Sequence, residues 1–178
     1  MEITSKESIV TEIKNATAAC VAFFDSIPAD EFFTRRSEAW SASDNVDHLV
    51  RAITPVTRAL KLPKLALQTM FGKVDRPLRS YAELCKAYED VLATGVGASG
   101  AFLPDQQTPI DTAKQKAALL DQLSKTGHVL AATLDEKWQD AALDQAQLPH
   151  PLLGKLTLRE MMFFSIYHAL RHARVEGD

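Results

Sequence analysis

Four long segments of this chain repeat apolar residues every three or four positions, the spacing that places them on one face of an α-helix. The first segment covers residues 5–26 and ends before Pro28, because proline disfavours the helical conformation in the residue that precedes it. The second follows Trp40, the third covers 110–134 and the fourth begins near Thr157. No run shows the sustained apolar–polar alternation of a strand. The pattern predicts an all-α protein.

Polar residues at the segment boundaries indicate where the second and third helices begin. Ser41 or Ser43 can cap the second helix, since a serine hydroxyl accepts from a free backbone N–H of the first turn. Pro55 falls inside that helical pattern and is expected to kink or end the helix. For the third helix we expect Thr108 as the cap and Pro109 at the first helical position.

A long, less periodic stretch separates the second and third helices. Ser80 and Glu83 have capping-box spacing and open a short helix over 80–93. The preceding residues 61–79 are expected to form a solvated loop, with a lid or an anion-binding patch as the alternative. They carry five basic side chains: Lys61, Lys64, Lys73, Arg76 and Arg79. We therefore expect one domain, 1–178, folded as a four-helix bundle with a long insertion between helices two and three.

Composition limits the compartment and the partners. The 178 residues carry a formal net charge of −3 without a basic stripe, which argues against a nucleic-acid partner. No window approaches 18 consecutive apolar residues, so no membrane span is expected, and the acidic, polar start of the chain does not resemble a signal peptide. Cys20 and Cys85 lie among apolar residues and are expected to be free thiols. These features favour a reducing cytoplasm.

The fourth helix carries a pair of histidines on what is expected to be its inward face. Thr157 and Glu160 have the capping-box spacing that fixes where this helix begins. His168 and His172 are four residues apart, so both imidazoles leave the same side of the helix, together with Phe164. Two imidazoles on an inward face supply half of a metal site. The same spacing also arises by chance, or as a solvated pair near a helix C-terminus, where cationic histidines are favoured.

A third imidazole is available from the second helix. Bundles build metal sites from inward side chains on facing helices, and His48 lies early in helix two beside its apolar face. Three neutral imidazoles, from His48, His168 and His172, suit zinc, nickel or another divalent transition metal. Three protein ligands leave a coordination position open, as in catalytic sites. His128 is expected to lie at the surface or between helices.

Two sequence motifs resemble those of the DinB/YfiT-like superfamily of four-helix-bundle metalloenzymes. The first runs from Trp40 through Ser-Ala-Ser-Asp-Asn-Val-Asp to His48-Leu and is similar to the W-S…H-L opening of the family's second helix. The second is His150-Pro-Leu-Leu-Gly-Lys-Leu-Thr-Leu-Arg-Glu, continued by His168-x-x-x-His172. The resemblance covers nearly the whole chain. It implies that His48, His168 and His172 are the metal ligands, that the metal is nickel or zinc, and that the protein is a homodimer.

The chain departs from the family pattern at two positions beside the proposed ligands. Arg171 stands where the family often has another histidine, and Val175 stands where it often has glutamine. The basic segment 61–79 is also longer than in compact members. These departures bear on the substrate more than on the metal.

The resemblance favours a metal-dependent enzyme that activates a low-molecular-weight thiol or a water, of thiol-dependent transferase or hydrolase type, acting on a small-molecule substrate. Asp44 or Asp47 is a candidate for orienting an imidazole, and Asp44 equally for a cap partner. Three basic side chains, Lys64, Lys73 and Arg76, are candidates for holding the carboxylates of an anionic thiol. The alternatives are a non-catalytic, stress-associated or binding bundle with an empty or vestigial site, and a bundle whose apolar face recruits another protein.

Overall fold

Helices dominate the described part of the chain, which is residues 3–37 and 39–174 of a computed structural model. Two one-turn 3₁₀ segments lie at Gly100–Phe102 and Asp140–Ala142. The helices and strands, in chain order, are α1 Lys6–Asp25, α2 Ala42–Leu60, α3 Lys64–Phe71, α4 Tyr81–Leu92, α5 Thr112–Lys137, β1 Gln147–His150, β2 Gly154–Thr157 and α6 Leu158–Arg174. The all-α prediction is thus confirmed for most of the chain, and one small sheet is added to it.

The four long helices enclose the core. Helix α1 packs against α5 and α6, and α2 packs against the same two helices. Helices α1 and α5 approach closely at Gly127, where an added Cβ would lie 2.1 Å from Thr17 Oγ1. Apolar side chains such as Phe24, Leu49, Leu130 and Met162 of these four helices are buried together. One face of α2 and one face of α6 therefore meet inside the molecule.

The expectation that no strands are present is wrong. Strands β1 and β2 form an antiparallel hairpin in which Leu148 pairs with Leu156 and His150 with Gly154. Gly154 has φ +71°, a conformation that favours glycine, at the point where the chain turns back. Four-residue strands are too short to show an alternating pattern, and Pro149 further obscures the signal.

The insertion between α2 and α5 is more ordered than the solvated loop predicted for 61–79. Residues 64–71 form helix α3, which packs against β1. Arg76 forms an ion pair with Glu160, whose side chain is buried at the start of α6. Glu160 also accepts a backbone hydrogen bond from Thr157, and Thr157 Oγ1 accepts one from Glu160. This capping box confirms the predicted beginning of the fourth helix.

Two helix termini differ from the predictions. Helix α5 begins at Thr112 with Asp111 as its cap, rather than at Pro109 with Thr108, because the Asp111 carboxylate accepts from Lys114 N at 3.0 Å. Helix α2 does not end at Pro55 but continues to Leu60, with Ser41 as its cap. Val175 lies outside the described residues. No helix in the described chain is long and apolar enough to cross a membrane.

Candidate metal centre

The three histidines singled out in the sequence converge inside the molecule. His48 projects from α2, and His168 and His172 project from successive turns of α6. The Nε2 atom of His168 lies 3.0 Å from His48 Nε2 and 3.0 Å from His172 Nε2. One ligand atom from each residue falls within 4.8 Å of the other two. The packing of α2 against α6 therefore brings together residues 120 positions apart in the chain.

Hydrogen bonds on the far side of two rings determine where their protons lie. His48 Nδ1 is 2.6 Å from the carbonyl oxygen of Phe102, so Nδ1 carries the hydrogen and donates it. His172 Nδ1 is 2.7 Å from Asn45 Oδ1. The Asn45 amide is oriented by its own nitrogen, which donates to Ser41 O at 2.8 Å, so its oxygen faces the imidazole. In their neutral forms, His48 and His172 therefore present unprotonated Nε2 atoms to the centre.

The protons available at the centre do not satisfy its nitrogens. His168 Nε2 carries at most one hydrogen when neutral, yet it faces two Nε2 lone pairs, each at 3.0 Å. One hydrogen cannot form two well-aligned hydrogen bonds. At least one buried lone pair is therefore left without a donor, and a cation at the centre would satisfy all three nitrogens.

Burial keeps these imidazoles neutral. The pKa of His172 is lowered to about 3, chiefly by burial and to a smaller extent by the neighbouring His48 and Arg171. Burial lowers the pKa of His168 well below its usual range, and the neighbouring histidines add to the effect. The pKa of His48 is lowered too, chiefly by burial, although Phe102 O and Asp47 oppose the shift. Near neutral pH all three are uncharged and can act as ligands.

Aromatic packing fixes the ring planes. The His168 ring stacks on Phe164 with centroids 4.9 Å apart and an interplanar angle of 20°. The Trp40 indole lies 4.9 Å from the His48 ring and stacks on His172 at 6.3 Å and 13°. The tryptophan that opens the first motif therefore covers one side of the centre.

Neither aspartate proposed as an imidazole partner contacts one. Asp44 caps α2 through Ser41 and pairs with Arg35, so the cap role is the one observed. Asp47 pairs with Arg51 and accepts from Asp105 N at 2.9 Å. This second contact ties the chain just after Phe102 to α2. The direct hydrogen-bond partners of the imidazoles, Phe102 and Asn45, were not predicted from the sequence. Asn45, three residues before His48, could have been found as a polar residue on the inward side of helix two.

A cavity of about 420 Å³ adjoins the centre. Its lining includes three polar side chains to which the sequence analysis gave no role: Tyr88, His150 and Arg171. The signal for His150 was its place at the head of the second motif. The walls are mostly aliphatic and aromatic, and include Val56, Leu92, Phe102, Leu148, Met161 and Phe164. Exposed edge residues such as Ser99 and Pro149 connect the cavity to solvent.

The remaining candidates lie elsewhere. Lys64, Lys73 and Arg76 do not line the cavity, and Lys64 instead donates to Gln145. His128 is exposed on α5 and contacts Ser124 of its own helix. Both cysteines are free, and burial raises the pKa of the Cys20 thiol to about 12, which makes it unreactive.

Comparison with known proteins agrees with this arrangement. The family model of the DinB superfamily matches residues 12–175, a span that includes all three histidines and both sequence motifs. Neither the curated proteins nor the solved structures contain a match to the chain. The matched span covers almost the entire sequence, and the chain therefore belongs to the DinB superfamily.

Proposed function

We propose that this protein is a metal-dependent enzyme built on a four-helix bundle, with His48, His168 and His172 as the ligands of one divalent metal ion. The observation that carries the proposal is the convergence of three neutral imidazole nitrogens that share too few protons to satisfy one another. The alternative of an empty or vestigial site leaves at least one of these imidazole lone pairs without a protein donor, which is unfavourable unless water meets it, and this favours a bound cation.

The spacing of the donors suits zinc or nickel. Tetrahedral zinc with Zn–N distances of about 2.0–2.1 Å separates its ligand nitrogens by about 3.3 Å. The two Nε2 pairs lie at 3.0 Å, so shifts of a few tenths of an ångström would complete the geometry. Imidazole is a good ligand for both metals, and three protein ligands leave a position open toward substrate.

A divalent metal bound at this centre would lower the pKa of a coordinated thiol or water, so that the deprotonated nucleophile is present near neutral pH. The protein residues orient and shield the centre. Phe102 O and Asn45 hold two rings with their Nε2 atoms inward. Trp40 and Phe164 cover the rings and limit access of bulk water. The cavity provides room for a small-molecule substrate.

We propose a low-molecular-weight thiol or a water as the activated species, corresponding to a transferase or a hydrolase. The free, unpaired cysteines support a reducing cytoplasm as the compartment, where such thiols are abundant. The homodimer implied by the family resemblance stays a prediction. Gel filtration with light scattering would test it by measuring the molar mass in solution.

Metal content tests the proposal. Protein purified without a histidine tag and loaded with zinc or nickel is expected to hold about one metal per chain. His168→Ala and His172→Ala should lose the metal while circular dichroism shows an unchanged helix content. His128→Ala, at an exposed position on α5, is the matched control and should keep it. A wild-type protein that binds neither metal and gains no thermal stability from them would overturn the proposal.

The choice between thiol and water has a separate readout. If N-acetylcysteine binds the zinc-loaded protein more tightly than the metal-free protein, a thiol is the activated species. If the protein hydrolyses a simple aryl ester only with zinc bound, and His168→Ala does not, water is the activated species.

A further inference from the structure

The cavity beside the three histidines is lined by polar groups for which the described part of the chain offers no hydrogen-bond partner. Its lining includes Arg171, Tyr88 and His150, set among mostly apolar side chains. Within residues 3–37 and 39–174, no hydrogen bond reaches the Tyr88 hydroxyl or His150 Nε2, and no carboxylate pairs with Arg171. Unpaired donors in an apolar cavity are costly unless a ligand or water meets them. Their chemistry therefore describes what the cavity is built to hold.

Arg171 is the charged member of the set. Arg35, Arg51 and Arg76 all pair with carboxylates, whereas Arg171 has none in the described chain. The half-buried Arg171 lies in α6, immediately before His172. Burial raises the pKa of Tyr88 and lowers that of His168 and His172, and the positive charge of Arg171 acts to lower all three. The guanidinium therefore lies near the Tyr88 phenol and near the three histidines.

His150 and Tyr88 are neutral donors. The Nδ1 atom of His150 accepts backbone hydrogen bonds from Leu152 at 3.2 Å and Leu153 at 3.1 Å. Its proton must then lie on Nε2 when the ring is neutral. Among the side-chain nitrogen and oxygen atoms of the described chain, only Arg79 Nη1 has neither a hydrogen-bond partner nor accessible surface. The Tyr88 hydroxyl and His150 Nε2 have no partner, so each must retain some accessible surface. Because both residues are more than nine-tenths buried, that surface faces the cavity they line.

The number of charges selects the class of ligand. A single guanidinium matches a single carboxylate, which it can hold through two parallel hydrogen bonds. A second negative charge would face apolar walls such as Leu92 and Leu148, where desolvation is unfavourable. The volume of about 420 Å³ is in the range of pockets that enclose small organic molecules.

We propose that this cavity binds a small apolar monocarboxylic acid, with the carboxylate held by Arg171 beside the Tyr88 hydroxyl and the apolar body against the cavity wall. His150 Nε2–H donates to a further oxygen of the natural ligand. As a statement about the substrate class, the inference rests on the proposed metal-dependent function. The binding of the acid itself does not need the metal.

Calorimetric titration of the metal-free protein tests this inference. The probes are hexanoate and 4-phenylbutyrate, each paired with its neutral amide. Wild-type protein should bind at least one acid about tenfold more tightly than its amide, because a hydrogen-bonded ion pair adds to the same apolar contact. Arg171→Gln should abolish the preference. Arg58→Gln, the same change at an exposed α2 position outside the cavity, should preserve it.

Two results of the titration would overturn the inference: equal affinity for acid and amide, or binding of neither acid. This holds even where zinc loading of the histidines shows that the metal site is intact. Acid binding that requires zinc and is unaffected by Arg171→Gln makes the metal the anion receptor and also overturns it. Arg171→Lys, which keeps the charge, should retain part of the preference, and this excludes a loss of affinity caused only by misfolding.

Discussion

The position of single protons decides what the three imidazoles can bind. Phe102 O fixes the proton of His48 on Nδ1, and Asn45 Oδ1 does the same for His172. Each hydrogen bond also aims a lone pair at the centre. Partners of this kind raise the basicity of a ligand and hold its ring, and losing one weakens metal binding by about 10–100-fold.

Asn45→Ala should therefore weaken zinc binding by about tenfold or more without removing a ligand. The freed His172 ring can rotate, and its neutral form can place the proton on Nε2, where it blocks coordination. Competition titration against a chelator of known affinity measures the change. Asn15→Ala, at an exposed position on α1, is the control. An unchanged zinc affinity in Asn45→Ala would show that Asn45 does not orient the ligand.

Among the elements, the start of α6 depends on the insertion that precedes α5. Glu160 is buried, closes the capping box with Thr157 and accepts from Arg79 N at 3.0 Å. Arg76 pairs with it and also donates to Lys155 O at 2.8 Å. The arginine thus joins the insertion, β2 and α6 at a point that sets the register of both α6 histidines.

Arg76→Ala should destabilise the protein by about 2–4 kcal/mol, because it leaves the Glu160 carboxylate buried without its counter-charge. Urea unfolding followed by circular dichroism gives the change in free energy. Lys73→Ala, an exposed basic residue of the same segment, should change stability by less than about 0.5 kcal/mol. Similar effects of the two substitutions would contradict a structural role for the ion pair.

Local signals were predictable from the sequence, and long-range ones were not. The capping boxes at Ser80 and Thr157 depend on residues three apart, so spacing alone locates them. The β1–β2 hairpin and the Arg76–Glu160 pair depend on partners that local periodicity does not reveal. His48 was assigned from its helical face and from the family resemblance. Its orienting partner, Phe102, lies in an irregular segment that no pattern connects to it.

For the whole molecule, buried neutral histidines make the metal-free fold sensitive to acid. The pKa of His150 is lowered to about 4 by burial, and that of His172 to about 3. An unfolded chain protonates histidine near its usual pKa of about 6.5. Below that pH the unfolded state binds more protons than the folded state, so stability falls as pH falls.

The free energy of unfolding of metal-free protein should therefore be steady above about pH 7 and decrease from about pH 6.5 downward. His150 and His172 each contribute a loss of about 2 kcal/mol by pH 5, in a window above the titration of most carboxylates. Urea unfolding at several pH values measures it. A His150→Asn variant should lose about 2 kcal/mol less over the same window. A flat profile between pH 7 and 5 would mean that these imidazoles are protonated in the folded state.

The most direct test of the metal centre is X-ray absorption at the zinc edge of the zinc-loaded protein. We expect three imidazole nitrogens at about 2.0–2.1 Å from the zinc and a remaining light ligand from solvent. Loss of one imidazole from the spectrum of His48→Ala would assign the ligand on α2. A sulfur ligand, fewer than three imidazoles, or a spectrum unchanged by the loss of His48 would rule out a centre formed by these three histidines.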